Sequence, residues 1–280
     1  MVPPVSEPYR LLPKFHERIW GLRDLSSWFP GTQFANPVGE AWFTPHGQEA
    51  FPLLLKFLFT TERLSVQVHP DDDYAREHHG SLGKTEAWYI VEAQAGAEIA
   101  LGFRESLTAQ QLRNLLLQGR VEALLNWIPV QAGETYLVPA GTVHAIGAGL
   151  TIVEVQEHSD ITYRLYDYGR PRELHVERAL AVADLGPYRV DNSSTLQGPS
   201  RRLLTRCRYF AMEHWKLPAA APRLSGSESF QLMVSLSGEG LLAGKRFGPG
   251  EVWLVPSDGE GVELRSEQAE LLVVVPMRLS

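Results

Sequence analysis

The sequence predicts a mainly β protein built as two small barrel-like units, with one short helical insert in the first. Three observations lead there. Short apolar–polar alternations with a period of two recur along the chain. The period changes to a helical one over a single stretch, about residues 106–127. A glycine–proline spacing around residue 139 returns around residue 256.

Taken in order, Pro13-Lys-Phe15, Ile19-Trp-Gly21 and Gly39-Glu-Ala-Trp-Phe43 read as short strands between turns. Residues 52–59 are apolar and suit a short helix or a strand. In the next strand, Leu64 to Val68, alternation sets Gln67 and His69 on one face, and Pro70, which has no N–H to donate, ends it. Asp71-Asp-Asp-Tyr74 reads as a turn into a polar loop, with His78 and His79 in solvent.

Strands follow at Glu86–Val91 and Ala97–Phe103. From Ser106 to Trp127, Leu112, Leu115, Leu116, Val121, Leu124 and Leu125 have helical spacing, Gly119 splits the segment, and Thr108 with Gln111 fits a capping box. Strands return at Glu134–Val138, Leu150–Gln156 and Thr162–Tyr166. The polar run 191–200 reads as a linker, and from Tyr209 onward the chain is short strands again. The expected organisation is a metal-binding catalytic unit over 1–190, the linker over 191–200, and a smaller degenerate unit over 201–280.

Composition narrows the function. Of 280 residues, 44% are apolar and 21% charged, with net charge −7, which suits a globular chain and gives no support to nucleic-acid or anionic-membrane binding. A single cysteine, Cys207, excludes an intramolecular disulfide and a thiolate cluster, and fits a cytoplasmic setting. The start lacks a basic region followed by an apolar one, and runs such as Leu271–Val275 are too short to span a bilayer.

The candidate site is a set of oxygen and nitrogen donors in three segments: Gln67 and His69, Glu86, and His144. A His/carboxylate set without thiolate marks a site where chemistry occurs, and its donors suit zinc, iron, manganese or nickel. Lys84 shares a strand face with Glu86 and serves it as an ion-pair partner or contacts substrate. Arg164, mid-strand among apolar neighbours, needs a partner or a polar cavity. Glu154 either points inward or forms a cross-strand polar pair, and His158 is a candidate outer-sphere group. His16, His46, His175 and His214 have no recognisable context.

Gly133, Pro139, Gly141 and His144 fit G-x5-P-x-G-x2-H, which resembles the second signature of the cupin superfamily, a β-sandwich closed into a jelly-roll barrel. Gly250 and Pro256 repeat the spacing, with Gly261 where His144 would stand, so the second unit reads as cupin-like without its metal.

Gln67–Asp71, Gly83–Tyr89, Val138–Gly147 and Asp160–Asp167, with the N-terminal Pro13, Trp20 and Gly39 segments, resemble type I mannose-6-phosphate isomerases of the shorter bacterial form, over about residues 10–185. The resemblance implies a cupin-like fold and one zinc ion on Gln67, His69, Glu86 and His144. It also implies interconversion of mannose 6-phosphate and fructose 6-phosphate through a cis-enediol. The family's catalytic arginine falls on Arg164 and a substrate-facing lysine on Lys84, with Glu154 and Asp160 as further substrate-contacting candidates. The general base stays open among Lys84, Glu154, Asp160 and a metal-bound water. The expected partner is a small sugar phosphate, the expected assembly a monomer or homodimer. The alternatives are another cupin metalloenzyme, such as an oxygenase, or a non-catalytic sugar-phosphate-binding cupin.

Overall fold

Apolar strands, buried on one face or on both, build three stacked sheets. The computed structural model describes residues 7–45, 51–189, 195–196, 200–217, 223–224, 229–257 and 261–277. In chain order the first part contains β1 (Tyr9–Leu11), β2 (Lys14–Asp24), β3 (Gln33–Phe43), β4 (Leu53–Thr60), β5 (Val66–Val68) and α1 (Asp72–His79). Then come β6 (Glu86–Ala93), β7 (Glu98–Phe103), α2 (Ala109–Leu117), β8 (Leu125–Pro129) and β9 (Thr135–Val138). β10 (His144–Ile146), β11 (Leu150–Glu157), β12 (Tyr163–Tyr166) and α3 (Val176–Val182) complete it. The C-terminal part holds β13 (Thr195–Leu196), β14 (Arg201–Arg206), β15 (Phe210–Leu217), β16 (Arg223–Leu224), β17 (Gln231–Leu242), β18 (Lys245–Phe247), β19 (Val252–Val255) and β20 (Val262–Pro276).

The middle layer is a six-stranded sheet, β2-β3-β4-β11-β6-β9, and one outer layer is a five-stranded sheet, β12-β5-β10-β7-β8. Trp20, Leu58, Trp88, Ile90 and Ile152 of the middle sheet meet Ile99, Leu101 and Ile146 of the outer one, closing the interior of the first unit. On its other face, Leu53, Leu55, Phe57, Phe59, Val153 and Val155 pack against Phe210, Met212, Leu232, Val252 and Leu272 of the C-terminal sheet. β4 and β11 are thus buried at every residue. This explains why residues 52–59 show no alternation and are a strand all the same. The C-terminal sheet runs β1-β19-β17-β20-β15-β14-β13, with β16 and β18 added to β20 and β17. By pairing, β1 belongs to this sheet, with Tyr9 opposite Leu254.

The mainly β reading holds, and the local differences have physical causes. Residues 71–80 are a helix rather than a turn and loop: Asp71 caps it by accepting from Tyr74 N, Asp72 and Asp73 favour its positive end, and Gly80 closes it at φ 62°. The helical insert is split at Gly119, as its sequence suggests, and only its end differs. Thr108 and Gln111 form the capping box, Gln118 ends α2, Gly119 turns at φ 64°, Val121–Leu124 forms a 3-10 helix, and Leu125 already opens β8. Leu112, Val121 and Leu125 cover the outer face of the five-stranded sheet with Ala179 of α3. Most of the stretch read as a linker lies outside the described residues; within it, Thr195–Leu196 pairs with β14. Among the described residues no helix is long and apolar enough to cross a membrane.

Candidate metal centre

Two sheets aim three donors at one point inside the first unit. β10 is the middle strand of the outer sheet, and His144, its first residue, stands opposite both Gln67 of β5 and Leu101 of β7. His69 follows β5 directly. Glu86 opens β6 in the facing sheet, in register with Gln156 and Val138. His69 Nε2 lies 3.5 Å from Glu86 Oε2, and His144 Nε2 lies 3.4 Å from Glu86 Oε1.

Each imidazole is fixed from behind. His69 Nδ1 donates to the Ile161 carbonyl at 2.9 Å, and His144 Nδ1 to that of Thr142 at 2.8 Å. With the proton on Nδ1, the lone pair on Nε2 faces inward, as metal-ligating histidines require. Both Nε2 atoms and both Glu86 oxygens are buried without a hydrogen-bond partner. Orphaned buried acceptors are costly, and four converging on one point fit a cation.

The electrostatics agree. Burial holds His69 well below its ordinary range and lowers His144 to about 4, so both are neutral ligands at neutral pH. Burial, helped by the nearby Glu154 charge, pushes Glu86 up to about 8. A bound cation would reverse that last shift.

Gln67, Lys84 and Glu154 line an adjoining cavity of about 620 Å³. Its basic lining residues are Arg18, Lys56, Lys84, Arg164, Arg170 and Arg172; its acidic ones are Glu17, Glu40, Glu154 and Asp160. The excess is positive in an acidic protein, which suits a phosphorylated ligand. A larger cavity, about 730 Å³, lies elsewhere, between Tyr89, Arg201 and His214.

The structure brings together most of the residues picked from sequence. Lys84 is buried, its Nζ 3.7 Å from Glu86 Oε2. Gln67 stands between His144 and Arg164, in register with each. Arg164 is half-buried, its guanidinium donating to the Glu173 carbonyl at 2.9 Å, with Nε buried and unpartnered. Asp160 is exposed at the rim. Both readings of Glu154 hold: it faces the cavity, and it pairs with cross-strand Lys56 at 3.0 Å. His158 stands apart from the donors, its Nδ1 held by the Phe51 carbonyl at 2.6 Å. His78 and His79 are exposed, on the last turn of α1. His46 lies outside the described residues.

Lys56 was missed by sequence reasoning. Its ammonium donates to Glu154 Oε1 and, at 2.5 Å, to Gln156 Oε1, while Trp88 Nε1 donates to Glu154 Oε2 at 3.0 Å. Burial alone would raise Glu154, but the Lys56 and Lys84 charges outweigh it and keep the carboxylate ionised. The signal was a lone lysine in the otherwise apolar run Leu53–Phe59.

Fold and site together define a layered β protein with a candidate metal centre beside a basic cavity of small-molecule size. Comparison with known proteins makes this specific. The mannose-6-phosphate isomerase of Streptococcus mutans is 34% identical, with 84% of this chain and 87% of the relative covered. Mannose-6-phosphate isomerase ManA of Bacillus subtilis is 36% identical over the same shares. The crystal structure of the Bacillus subtilis mannose 6-phosphate isomerase superposes with a TM-score of 0.85 at 30% identity, covering 96% of this chain and all of that one. A variant of phosphomannose isomerase from Salmonella typhimurium shares the fold, with a TM-score of 0.81 at 16% identity, covering 98% of this chain and all of that one. No family model matches the chain. The chain belongs to the mannose-6-phosphate isomerase family and is an isomerase of that kind.

Proposed function

We propose that the chain interconverts mannose 6-phosphate and fructose 6-phosphate through a cis-enediol, using one zinc ion held by Gln67, His69, Glu86 and His144. The observation that carries the metal site is the convergence of four unpartnered buried acceptor atoms on His69, Glu86 and His144. When bound, zinc supplies Lewis acidity toward the sugar oxygens and stabilises the negative charge that develops on them.

The remaining work falls to side chains. A proton leaves C2 of the open-chain aldose and is returned to C1, while the C1 oxygen gains a proton and the C2 hydroxyl loses one. Lys84, buried in the cavity wall beside Glu86, binds the substrate or moves that proton. Arg164 places fixed positive charge at the mouth, where it stabilises the enediolate without reorganising. Glu154, kept ionised by Lys56, and Asp160 at the rim offer acceptors to sugar hydroxyls. The surplus of basic side chains holds the phosphate.

The test is a coupled assay for fructose 6-phosphate formed from mannose 6-phosphate, on metal-stripped protein with and without added zinc. Zinc-restored turnover is expected. Absence of turnover in a folded, verified zinc-loaded sample would overturn the assignment. His69→Ala and His144→Ala should each lose the metal and the activity together.

A further inference from the structure

We propose that Asp72 and Glu157 form a buried carboxyl clamp that positions Lys84, and that Tyr209 of the C-terminal sheet closes it. The inference rests on the reading of Lys84 given above.

Lys84 sits in the short connection between α1 and β6, and each backbone N–H of residues 83–85 is held. Gly83 N donates to Asp72 Oδ1 at 3.0 Å, Lys84 N to the Pro70 carbonyl at 3.0 Å, and Thr85 N to Glu157 Oε2 at 2.8 Å. Glu157 grips Thr85 twice, since its own N–H donates to the Thr85 carbonyl at 3.1 Å. Gly83 is pressed so closely on α1 that a Cβ there would lie 2.5 Å from the backbone of Asp71 and Asp72. The residues on both sides of Lys84 are therefore fixed by carboxyl groups, not by packing alone.

The two acids are 7% and 2% exposed and interact with each other. Burial pushes Glu157 up to about 8, while Asp72 is held below the usual carboxylate range, against its own burial, by the Gly83 N–H and by Glu157. This fits a proton on Glu157 facing ionised Asp72. Asp72 Oδ2 also accepts from Tyr209 Oη at 3.1 Å and Arg208 Nη2 at 3.4 Å, in the turn between β14 and β15. This turn belongs to the part of the chain that lacks the metal donors. Asp72, Glu157 and Tyr209 line a separate cavity of about 250 Å³ with Leu53, Leu82 and Phe230, away from the basic cavity. Neither acid is placed to touch the sugar, and any effect on turnover passes through the Lys84 loop.

A buried acid pair is a poor source of stability, because apolar replacements of similar volume are often neutral or stabilising. It is a good source of backbone position, because ionised Asp72 accepts the Gly83 N–H more strongly than a carbonyl would, and Glu157 holds Thr85 through both its side chain and its own N–H.

The test is a double-mutant cycle on the zinc-loaded full chain, measuring kcat, KM and zinc content for Glu157→Leu and Glu157→Gln, each alone and with Lys84→Ala. Glutamine keeps the acceptor for Thr85 N–H and presents an N–H to Asp72, so it mimics protonated Glu157. Misplacement of a working group by about 1 Å costs on the order of 100-fold, so Glu157→Leu should lower kcat about 10- to 100-fold, with KM and zinc content little changed. Glu157→Gln should stay near the parent. In the Lys84→Ala background, Glu157→Leu should lower kcat no further. An equal fall in both backgrounds, or equal falls for leucine and glutamine, would overturn the clamp. Full turnover by Lys84→Ala would instead overturn the role given to Lys84. If Glu157→Leu does not fold, Tyr209→Phe decides: a fall in kcat that vanishes in the Lys84→Ala background supports the clamp, and an unchanged kcat overturns it.

Discussion

Replacing Lys56 with methionine keeps most of the side-chain volume and deletes one charge from the interior. Its partner Glu154 is 4% exposed and lies 3.0 Å away, so the variant leaves a buried carboxylate without its nearest counter-ion, with Lys84 as the remaining one. At that separation and an effective dielectric of about 20, the lost attraction is roughly 5.5 kcal/mol. Trp88 Nε1 still donates to the carboxylate, and removing one member of a buried pair costs about 3–5 kcal/mol. At roughly 2–4 °C per kcal/mol, the melting temperature of metal-stripped protein should fall on the order of 10 °C.

The fall should depend on pH. In the parent, Lys56 and Lys84 overcome burial and keep the Glu154 pKa low. Its contribution is therefore in place above the unfolded carboxylate pKa, is lost only as pH falls through the lower folded value, and is flat from pH 6 to 8. In the variant only Lys84 and Trp88 still oppose burial, so Glu154 rises; to the extent that the folded state then retains a proton the unfolded chain releases, stability falls as pH rises. The slope is about 1.4 kcal/mol per pH unit, so the deficit should be up to about 2.7 kcal/mol larger at pH 8 than at pH 6. Lys56 also holds Glu86 down, so its loss raises Glu86 as well and adds to the same trend. Thermal melts by circular dichroism at the two pH values measure it. Equal deficits, or an unmoved melting temperature, would refute the view that Lys56 neutralises a buried carboxylate.

Two further outcomes follow from the site. Arg164→Ala should lower kcat about 100- to 1,000-fold, as for loss of one pre-placed donor, while circular dichroism stays unchanged because the side chain is only half-buried; a kcat close to the parent's would exclude it from the reaction. Zinc binding near pH 7 should release about one proton, because Glu86 is raised to about 8 while His144, lowered to about 4, is already neutral. Calorimetry in buffers of different ionisation enthalpy reads that proton, and affinity should rise with pH until about 8, levelling off above.

The candidate donor set was legible because each of its residues sits in a local pattern of its own: His69 before Pro70, Glu86 at a strand start, His144 at a fixed spacing from Gly133 and Pro139. Features without a local pattern were not legible. Helix α1 buries one apolar side chain, Ala75, and is made by its caps rather than by an apolar stripe, so periodicity is silent there. Lys56 is separated from Glu154 by 98 residues, and nothing near either reports the other. Leu125 continues the helical spacing but faces the core from a strand, because the Gly119 turn redirects the chain. The carboxyls around Lys84 come from α1 and the end of β11, a proximity only the folded chain creates.

The pairing of β1 with β19 has a consequence for how the molecule is made. Arg10 and Glu251, joined at 2.7 Å beside that pairing, are 241 residues apart in sequence. At about 5–20 residues per second, synthesis needs on the order of 10–50 s to cover that distance. Through that interval β1 hangs beside the growing chain without its partner, while the strands carrying His69, Glu86 and His144 have already left the ribosome. The sheets that bring the three donors together can thus form before β1, which precedes them in the chain, finds its partner in β19.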